Sequence, residues 1–181
     1  MIQKVITKPI VLVGMMGSGK STIGRRLARK LNLQFYDSDK MLEEREGLSV
    51  MDIHEFMGKK YFEQKEEEII EEIIGYGIIV LSTGGNSFMN ENIRRIINEK
   101  AISVWLDVDL ETIYERVSRR NTRPELSMVE NKREFIDQTM KEKTPIFNEA
   151  DIKIEGSLES HHLVENIIRR LKQYSLNSNS N

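Results

Sequence analysis

The chain has 181 residues, of which 39% are hydrophobic and none is cysteine. This length suits one domain with its own core, and the lack of cysteine excludes a disulfide framework and a thiolate zinc site. With 27 basic and 29 acidic residues the formal net charge is −2, so no basic field of the kind that gathers nucleic acid is present. No stretch is long and apolar enough to cross a bilayer, and no secretory leader is recognisable, so we expect a cytoplasmic protein that binds neither nucleic acid nor membranes.

The first predicted strand, residues 10–13, runs directly into a glycine-rich loop. The loop, GMMGSGKST from Gly14 to Thr22, satisfies G-x-x-x-x-G-K-[ST] and is followed by a helix-forming run. Its glycines let successive N–H groups point at phosphate oxygens, and the helix N-terminus adds its positive dipole end. We expect Lys20 to reach the β- and γ-phosphates of a nucleotide and the Ser21 hydroxyl to bind Mg²⁺.

The second strand candidate, residues 33–37, leads into FYDSD, where two aspartates lie two positions apart. On an extended strand Asp37 and Asp39 would point the same way, and ligands bind outside the carboxyl ends of strands in open α/β sheets. One carboxylate can order the water shell of a metal while the other takes a proton from an acceptor hydroxyl. Alternatively, Asp39 caps the helix that begins at KMLEE. The residues alone leave both interpretations of Asp39 open.

Residues 58–74 have the periodicity of an amphipathic helix, with apolar positions on one stripe and glutamates on another. A third strand candidate, residues 78–81, follows and ends at STGG. The fourth candidate, residues 102–106, precedes a second amphipathic helix that begins near Leu110.

This second helix carries arginines at positions 116, 119, 120 and 123, spaced so that they share one face. The face leads into Arg123-Pro124, where the helix must break. Such a cluster on a hinged segment can close over a triphosphate and neutralise charge on the transferred group. A solvated polar face explains the first three arginines equally well but not the terminal R-P, so we single out Arg123.

The fifth strand candidate, residues 150–155, alternates as an edge strand would, and a last amphipathic helix follows. Strands alternating with helices of this length imply parallel pairing with crossover helices on both faces. The predicted fold is therefore α/β, a three-layer α/β/α sandwich with a five-stranded parallel sheet. We assign residues 1–174 to a single domain with a small lid at about 116–128, and residues 175–181 to a disordered tail.

Taken together, GMMGSGKST, FYDSD, STGG, TRPEL and KTPIF resemble the shikimate kinase family, over about residues 8–171. The loop alone is shared by many nucleotide-binding proteins, but D-S-D, T-G-G and R-P in this order and spacing are specific in combination. The resemblance implies a P-loop kinase of the nucleoside monophosphate kinase type. It further implies transfer of the γ-phosphoryl of ATP to the 3-hydroxyl of shikimate with Mg²⁺, on the route to chorismate and the aromatic amino acids.

The resemblance also implies roles for individual residues. ATP would be held by Gly17, Ser18, Gly19, Lys20, Ser21, Thr22 and Arg123, and Mg²⁺ by Ser21 and Asp37. Catalysis would fall to Lys20, Asp39 and Arg123. The acceptor would contact Asp39 and the backbone of Gly85.

Three positions differ from the family pattern. Glu63 and Lys143 each stand where the family has an arginine, and Asn86 replaces the third glycine of G-G-G. A guanidinium fits a carboxylate as a planar fork, which lysine partly replaces and glutamate opposes. Lys143 is therefore a substrate-binding candidate. Glu63 occupies a substrate-binding position of the family, but its negative charge opposes a carboxylate. Asn86 would need an unusual backbone conformation if the glycine has a positive φ.

These differences leave two alternatives beside shikimate kinase. One is a small-molecule kinase of the same fold with a different acceptor, such as one without a carboxylate. The other is a nucleotide-binding homologue that has lost transfer. In every case the partner is a small molecule, and we expect a monomer.

Overall fold

The computed structural model describes residues 6–119, 129–156 and 160–178. A five-stranded sheet lies at its centre, with every neighbouring pair of strands parallel. The strand order is β2-β3-β1-β4-β5. The strands are β1 (Ile10–Val13), β2 (Phe35–Asp37), β3 (Val80–Ser82), β4 (Ile102–Asp107) and β5 (Ile152–Glu155). All five predicted strands are thus present, and β5 lies at an edge of the sheet, as its alternating sequence indicated.

Seven α-helices longer than one turn connect and flank the strands in the described residues. They are α1 (Lys20–Leu31), α2 (Ser38–Glu46), α3 (Lys59–Ile74), α4 (Glu91–Lys100), α5 (Leu110–Ser118), α6 (Lys132–Phe147) and α7 (Ser160–Ser178). A short helical segment, Val50–Asp52, continues as a π-helical turn, Ile53–Met57, before α3. None of the helices in the described ranges is long and apolar enough to span a membrane.

The last helix extends beyond the domain boundary that the sequence predicted. Helix α7 continues to Ser178, four residues into the segment assigned to a disordered tail. Ser175 is buried in this last part of the helix, which packs against the sheet through earlier apolar residues such as Leu171. Residues 179–181 lie outside the described residues.

Two hydrophobic clusters cover the two faces of the sheet, as a three-layer sandwich requires. In β1, Ile10 and Leu12 join the cluster made with α1 and α7, whereas Val11 and Val13 join the cluster made with α3, α4, α5 and α6. All four side chains are fully buried. Successive strand residues point to opposite faces, so a strand covered on both sides is apolar at every position.

A crevice opens beyond the carboxyl ends of β1 and β3, which are neighbours in the sheet. The chain leaves β1 towards α1 on one face and leaves β3 towards α4 on the other. In open α/β sheets, ligands bind where the connections from two neighbouring strands leave on opposite faces of the sheet. The two glycine-containing loops identified in the sequence, after β1 and after β3, flank this point.

Candidate active site

The loop between β1 and α1 can form only with glycine at particular positions. Gly17 has φ of +74°, and a Cβ there would lie 2.8 Å from Val117 Cγ2. Gly19, with φ of +91°, is the N-cap of α1 and has no side chain with which to cap the first-turn N–H groups. Those amides and the positive end of the helix dipole are the elements that bind phosphate in loops of this kind.

Lys20 lies folded into this loop. Its Nζ donates hydrogen bonds to the carbonyl oxygens of Gly14 at 2.7 Å and Met15 at 2.8 Å, and its side chain is buried. The two carbonyl oxygens hold the ammonium within the phosphate loop. Phosphate oxygens bound in the loop would be stronger, charged acceptors for the same ammonium.

Oxygen atoms that suit Mg²⁺ meet beside Lys20. Ser21 Oγ donates to Asp37 Oδ2 at 2.6 Å and lies 3.2 Å from Ser82 Oγ. Asp37 and Ser82 are register partners in β2 and β3, so the sheet itself sets their separation. A hydroxyl and a carboxylate are hard donors of the type that Mg²⁺ prefers, and few protein ligands are needed when phosphates complete the shell. Sequence analysis did not identify Ser82, because it reads simply as the polar end of a buried strand.

The loop lines a cavity of about 530 Å³ that also contains the candidate acceptor residues. Its walls include the whole segment from Gly17 to Thr22 together with Asp37, Asp39 and Gly85. Arg116, Gly156 and Leu163 line it as well. The structure thus brings the predicted phosphate-binding residues and two of the predicted acceptor residues into one space.

The geometry of the D-S-D segment differs from the expected extended strand. Strand β2 ends at Asp37, and Asp39 lies in the first turn of α2. Asp37, not Asp39, is the helix cap, since its side chain accepts from Lys40 N at 3.3 Å. A helical turn places these two carboxylates in different directions, so Asp37 lies beside Ser21 and Asp39 lies towards the loop after β3.

Glu66 is a buried carboxyl group beside Asp39 that sequence analysis missed. A Cβ on Gly84 would lie 2.8 Å from Asp39 Oδ1 and 3.0 Å from Glu66 Oε1, so both carboxyl groups touch the same stretch of backbone. Burial raises the pKa of Glu66 to about 7, and the charges of Asp39 and Glu63 add to that rise. The hydrogen bond donated by Ser87 Oγ, 2.6 Å from Oε1, opposes it. Its position four residues after Phe62, on the apolar stripe of the helix, could have indicated in the sequence that this glutamate is buried.

Arg116 also belongs to the site, although a solvated polar face had seemed sufficient to explain it. Its Nη1 donates to the carbonyl oxygens of Gly17 and Ser18, both at 3.3 Å, which places a guanidinium on the phosphate loop. Arg119 lines the same cavity. Arg123 and most of the predicted lid lie outside the described residues.

The three positions that differ from the family pattern have clear local settings. Glu63 forms an ion pair with Lys59, one turn earlier on α3, at 3.5 Å. Asn86 Oδ1 accepts a hydrogen bond from Lys143 Nζ. Asn86 has φ of −111° and ψ of −9°, so the positive φ that would have required an unusual backbone does not occur at this position. An ordinary right-handed conformation accommodates asparagine without strain.

Comparisons with known proteins bear on the identity of this site. The family model described as "Shikimate kinase" matches residues 16–172. The chain belongs to the shikimate kinase family. A shikimate kinase of Bartonella henselae is 38% identical over 92% of this chain and 80% of its own length. One from a Sulfurihydrogenibium species is 38% identical over 92% of this chain and 99% of its own length. The solved shikimate kinase of Acinetobacter baumannii in complex with shikimate has a TM-score of 0.84 and 30% identity, with 98% of each chain covered.

Proposed function

We propose that this protein transfers the γ-phosphoryl group of ATP, with Mg²⁺, to the 3-hydroxyl of shikimate. The single observation that carries the proposal is that Lys20 and Asp39 line one cavity. An ammonium for the phosphoryl donor and a carboxylate for the acceptor hydroxyl are the two groups that this transfer needs from the protein. Membership of the shikimate kinase family supports the choice of acceptor.

On the donor side, the segment from Gly17 to Thr22 would hold the phosphates through its amides and through Lys20. The ammonium would leave the carbonyls of Gly14 and Met15 for phosphate oxygens, which compensate its charge better. We assign the adenine end to the part of the cavity lined by Arg116, Gly156 and Leu163, which belong neither to the phosphate loop nor to the acceptor candidates. Arg123 remains a candidate for neutralising charge on the transferred group.

Ser21 and Asp37 are the residues that would hold Mg²⁺. Their oxygens already lie 2.6 Å apart, and Ser82 Oγ adds a further hydroxyl 3.2 Å from Ser21 Oγ. When bound, Mg²⁺ would neutralise charge that develops on the phosphate oxygens during transfer. The chain's part is to present these oxygens at fixed positions.

On the acceptor side, Asp39 would accept the proton of the 3-hydroxyl. The hydroxyl oxygen forms a bond to the γ-phosphorus, and the bond from that phosphorus to the β–γ bridging oxygen breaks, which leaves ADP. Gly85 lines the cavity, and its lack of a side chain lets the loop after β3 pack on the phosphate loop, because a Cβ there would lie 3.0 Å from Met16 N. Lys143 would face the carboxylate of shikimate, and Glu63 would be neutralised by Lys59 instead of contacting the substrate.

A coupled assay of ADP formation with and without shikimate tests the proposal. We expect ADP formation to depend on shikimate and the Lys20→Met variant to lose at least about a thousand-fold in kcat, because the transferred group loses its positioning cation. Lys30→Met is the matched control, since Lys30 lies at the end of the same helix in a surface ion pair with Glu165. Folded wild-type protein that forms no ADP in response to shikimate would refute the proposal.

Glu63 favours a second candidate function, a kinase of the same fold for an acceptor without a carboxylate. A glutamate at a position where the family has arginine lowers the positive potential offered to a carboxylate. Turnover of neutral polyols or sugars in the same assay, in place of shikimate, would support this candidate.

We propose that the protein is a monomer. Sedimentation velocity at the concentration used in the assay would test this. We place the reaction in the cytoplasm, which supplies ATP.

A further inference from the structure

Helix α5 packs directly against the phosphate loop. A Cβ on Gly17 would lie 2.8 Å from Val117 Cγ2 and 3.9 Å from Arg116 Cβ, so glycine at this position allows the close approach. Val117 is buried, and both Val117 and Arg116 line the cavity. Sequence analysis did not connect this helix with the loop, because 99 positions separate Gly17 from Arg116.

The Arg116 side chain holds two successive peptide units of the loop by their carbonyl oxygens. Its Nη1 donates to Gly17 O and to Ser18 O, both at 3.3 Å. The N–H of the first unit belongs to Ser18 and donates to Met15 O, back into the loop, at 3.2 Å. Because a trans peptide unit is planar, its C=O and N–H point in opposite directions. The first unit is therefore fixed at both ends, with its carbonyl towards α5 and its N–H towards the loop.

The second unit carries an amide that can bind phosphate. Its carbonyl belongs to Ser18 and its N–H to Gly19, so the bond to Arg116 makes this N–H point away from the guanidinium. Gly19 is the N-cap of α1, and amides at the N-terminus of a helix bind anions. A Cβ on Gly19 would lie 3.6 Å from Arg116 Nη1, so the guanidinium lies along this peptide unit. The orientation of the Gly19 amide is thus set from α5.

We propose that Arg116 is a positioning residue for the phosphate loop. Its guanidinium fixes the carbonyls of Gly17 and Ser18 and so directs the Gly19 amide towards a bound phosphate. This role rests on the proposed function only in taking the loop as the site for the phosphates of ATP. It is separate from any contact of Arg116 with the adenine end of the nucleotide, and it makes the affinity for phosphate depend on α5.

Binding of tripolyphosphate with Mg²⁺, measured by isothermal titration calorimetry, tests the role, because this probe has no base or ribose for Arg116 to contact. We expect Arg116→Met to raise the Kd for tripolyphosphate about ten-fold, or about 1.4 kcal/mol. In steady-state kinetics the KM for ATP should rise by a similar factor, whereas the KM for shikimate should stay within two-fold of wild type. Arg116 is exposed, so the melting temperature should change by no more than about 2 °C.

Amide hydrogen exchange without ligand separates positioning of the loop from a direct bond between Arg116 and phosphate. In Arg116→Met the Ser18 amide should exchange at least about ten-fold faster, since the carbonyl of its own peptide unit is no longer held. Arg116→Lys should recover most of the exchange protection and of the tripolyphosphate affinity, because an ammonium can donate to the same carbonyls. Arg95→Met is the matched control, an exposed arginine on α4.

Two outcomes would overturn the role of Arg116. One is an unchanged Kd for tripolyphosphate in folded Arg116→Met, which would restrict Arg116 to the base or ribose. The other is a weaker affinity for tripolyphosphate with unchanged exchange of the ligand-free loop, which would indicate a direct bond to phosphate. Failure of the proposed function would appear differently, as wild type that binds tripolyphosphate but forms no ADP in response to shikimate.

Discussion

Asp39 and Glu66 place two carboxyl groups against the backbone at Gly84, and they have different surroundings. Asp39 lines the cavity, whereas Glu66 is buried behind it and receives a hydrogen bond from Ser87. Burial raises the pKa of Glu66 to about 7, so this group loses its proton only near neutrality. Because Asp39 lines the cavity and Glu66 does not, we assign proton transfer from the acceptor to Asp39 and a structural role to Glu66.

Replacing Asp39 with asparagine tests whether Asp39, and not Glu66, accepts the proton of the acceptor hydroxyl. We expect Asp39→Asn to lower kcat about 10²- to 10⁴-fold, the usual contribution of a general base, in the assay of shikimate-dependent ADP formation. The pKa of Glu66 should fall in this variant, because the charge of Asp39 helps to raise it. Carbon-detected NMR titration of the glutamate carboxyls measures the pKa. Asp137→Asn, at a surface ion pair with Lys141, is the control. Full activity of Asp39→Asn would require another base.

Glu66 should make the stability of the protein depend on pH. Its pKa is raised in the folded state, so the native protein binds more protons than the unfolded chain between about pH 4.5 and pH 7. The stabilising contribution of protonated Glu66 is complete below this range and is lost as the pH rises through about 7. Relative to Glu66→Gln, wild type should lose up to about 3 kcal/mol of unfolding free energy between pH 5 and pH 8.

Urea denaturation at several pH values measures this difference. Compared with Glu68→Gln, a variant on the same helix, wild type should not show this loss of unfolding free energy as the pH rises. The reason is that the hydrogen bond from Lys65 lowers the pKa of Glu68. Parallel pH profiles for wild type and Glu66→Gln would contradict the prediction.

At the scale of elements, α1 packs unusually close to β2. A Cβ on Gly24 would lie 2.5 Å from Phe35 Cε2 and 3.2 Å from Leu12 Cδ1, so only glycine fits between the helix and the strand. This approach holds α1, and with it the phosphate loop at its N-terminus, against the end of the sheet where Asp37 lies. The position of the phosphate loop thus depends on the absence of a Cβ at residue 24.

Gly24→Ala should destabilise the protein by about 1–3 kcal/mol through overpacking, less the small gain in helix propensity. Phe35→Leu should relieve most of that loss in a double variant. Gly47→Ala is a matched control, because a Cβ there meets nothing within 4 Å and the substitution is opposed only by a φ of +67°. Denaturant unfolding of the variants gives the comparison. If Phe35→Leu leaves the loss of unfolding free energy in Gly24→Ala unchanged, the contact between residue 24 and Phe35 is not its cause.

At the scale of the whole molecule, the site joins both layers of helices. The phosphate loop leads into α1 on one face, Arg116 comes from α5 on the other, and Asp37 and Ser82 end two strands between them. A nucleotide in the cavity would link these elements and would bind the folded state only.

Nucleotide should therefore raise the melting temperature. At a hundred times its Kd, a non-hydrolysable ATP analogue with Mg²⁺ should stabilise the fold by about 2.7 kcal/mol, or about 5–10 °C for a chain of this length. Differential scanning fluorimetry measures the shift. The shift should be absent or much smaller for Lys20→Met. An equal shift in that variant would place the nucleotide elsewhere.

Much of this architecture could be predicted from the sequence because its signals are local. The apolar runs of β1 and β4, the alternation of β5 and the helical stripe of α3 follow from the burial of each element. The loop from Gly14 to Thr22 is specified by the backbone that glycine allows and by the strand and helix that flank it. These features involve residues within a few positions of each other.

The remaining features depend on which elements meet in space. Asp39 lies in a helix because the helix begins at Ser38, two residues earlier than KMLEE indicated. Glu66 lies beside Asp39 only once α3 packs under the loop after β3, and Arg116 reaches Gly17 across 99 residues. Asn86 and Lys143 read as two unrelated departures until the stacking of Phe88 on Phe147 brings them together. The sequence by itself determined the sheet, the phosphate loop and the family, because periodicity and turn chemistry act over short distances. Only the tertiary structure decided which distant side chains meet around the site, because that depends on packing between elements far apart in the chain.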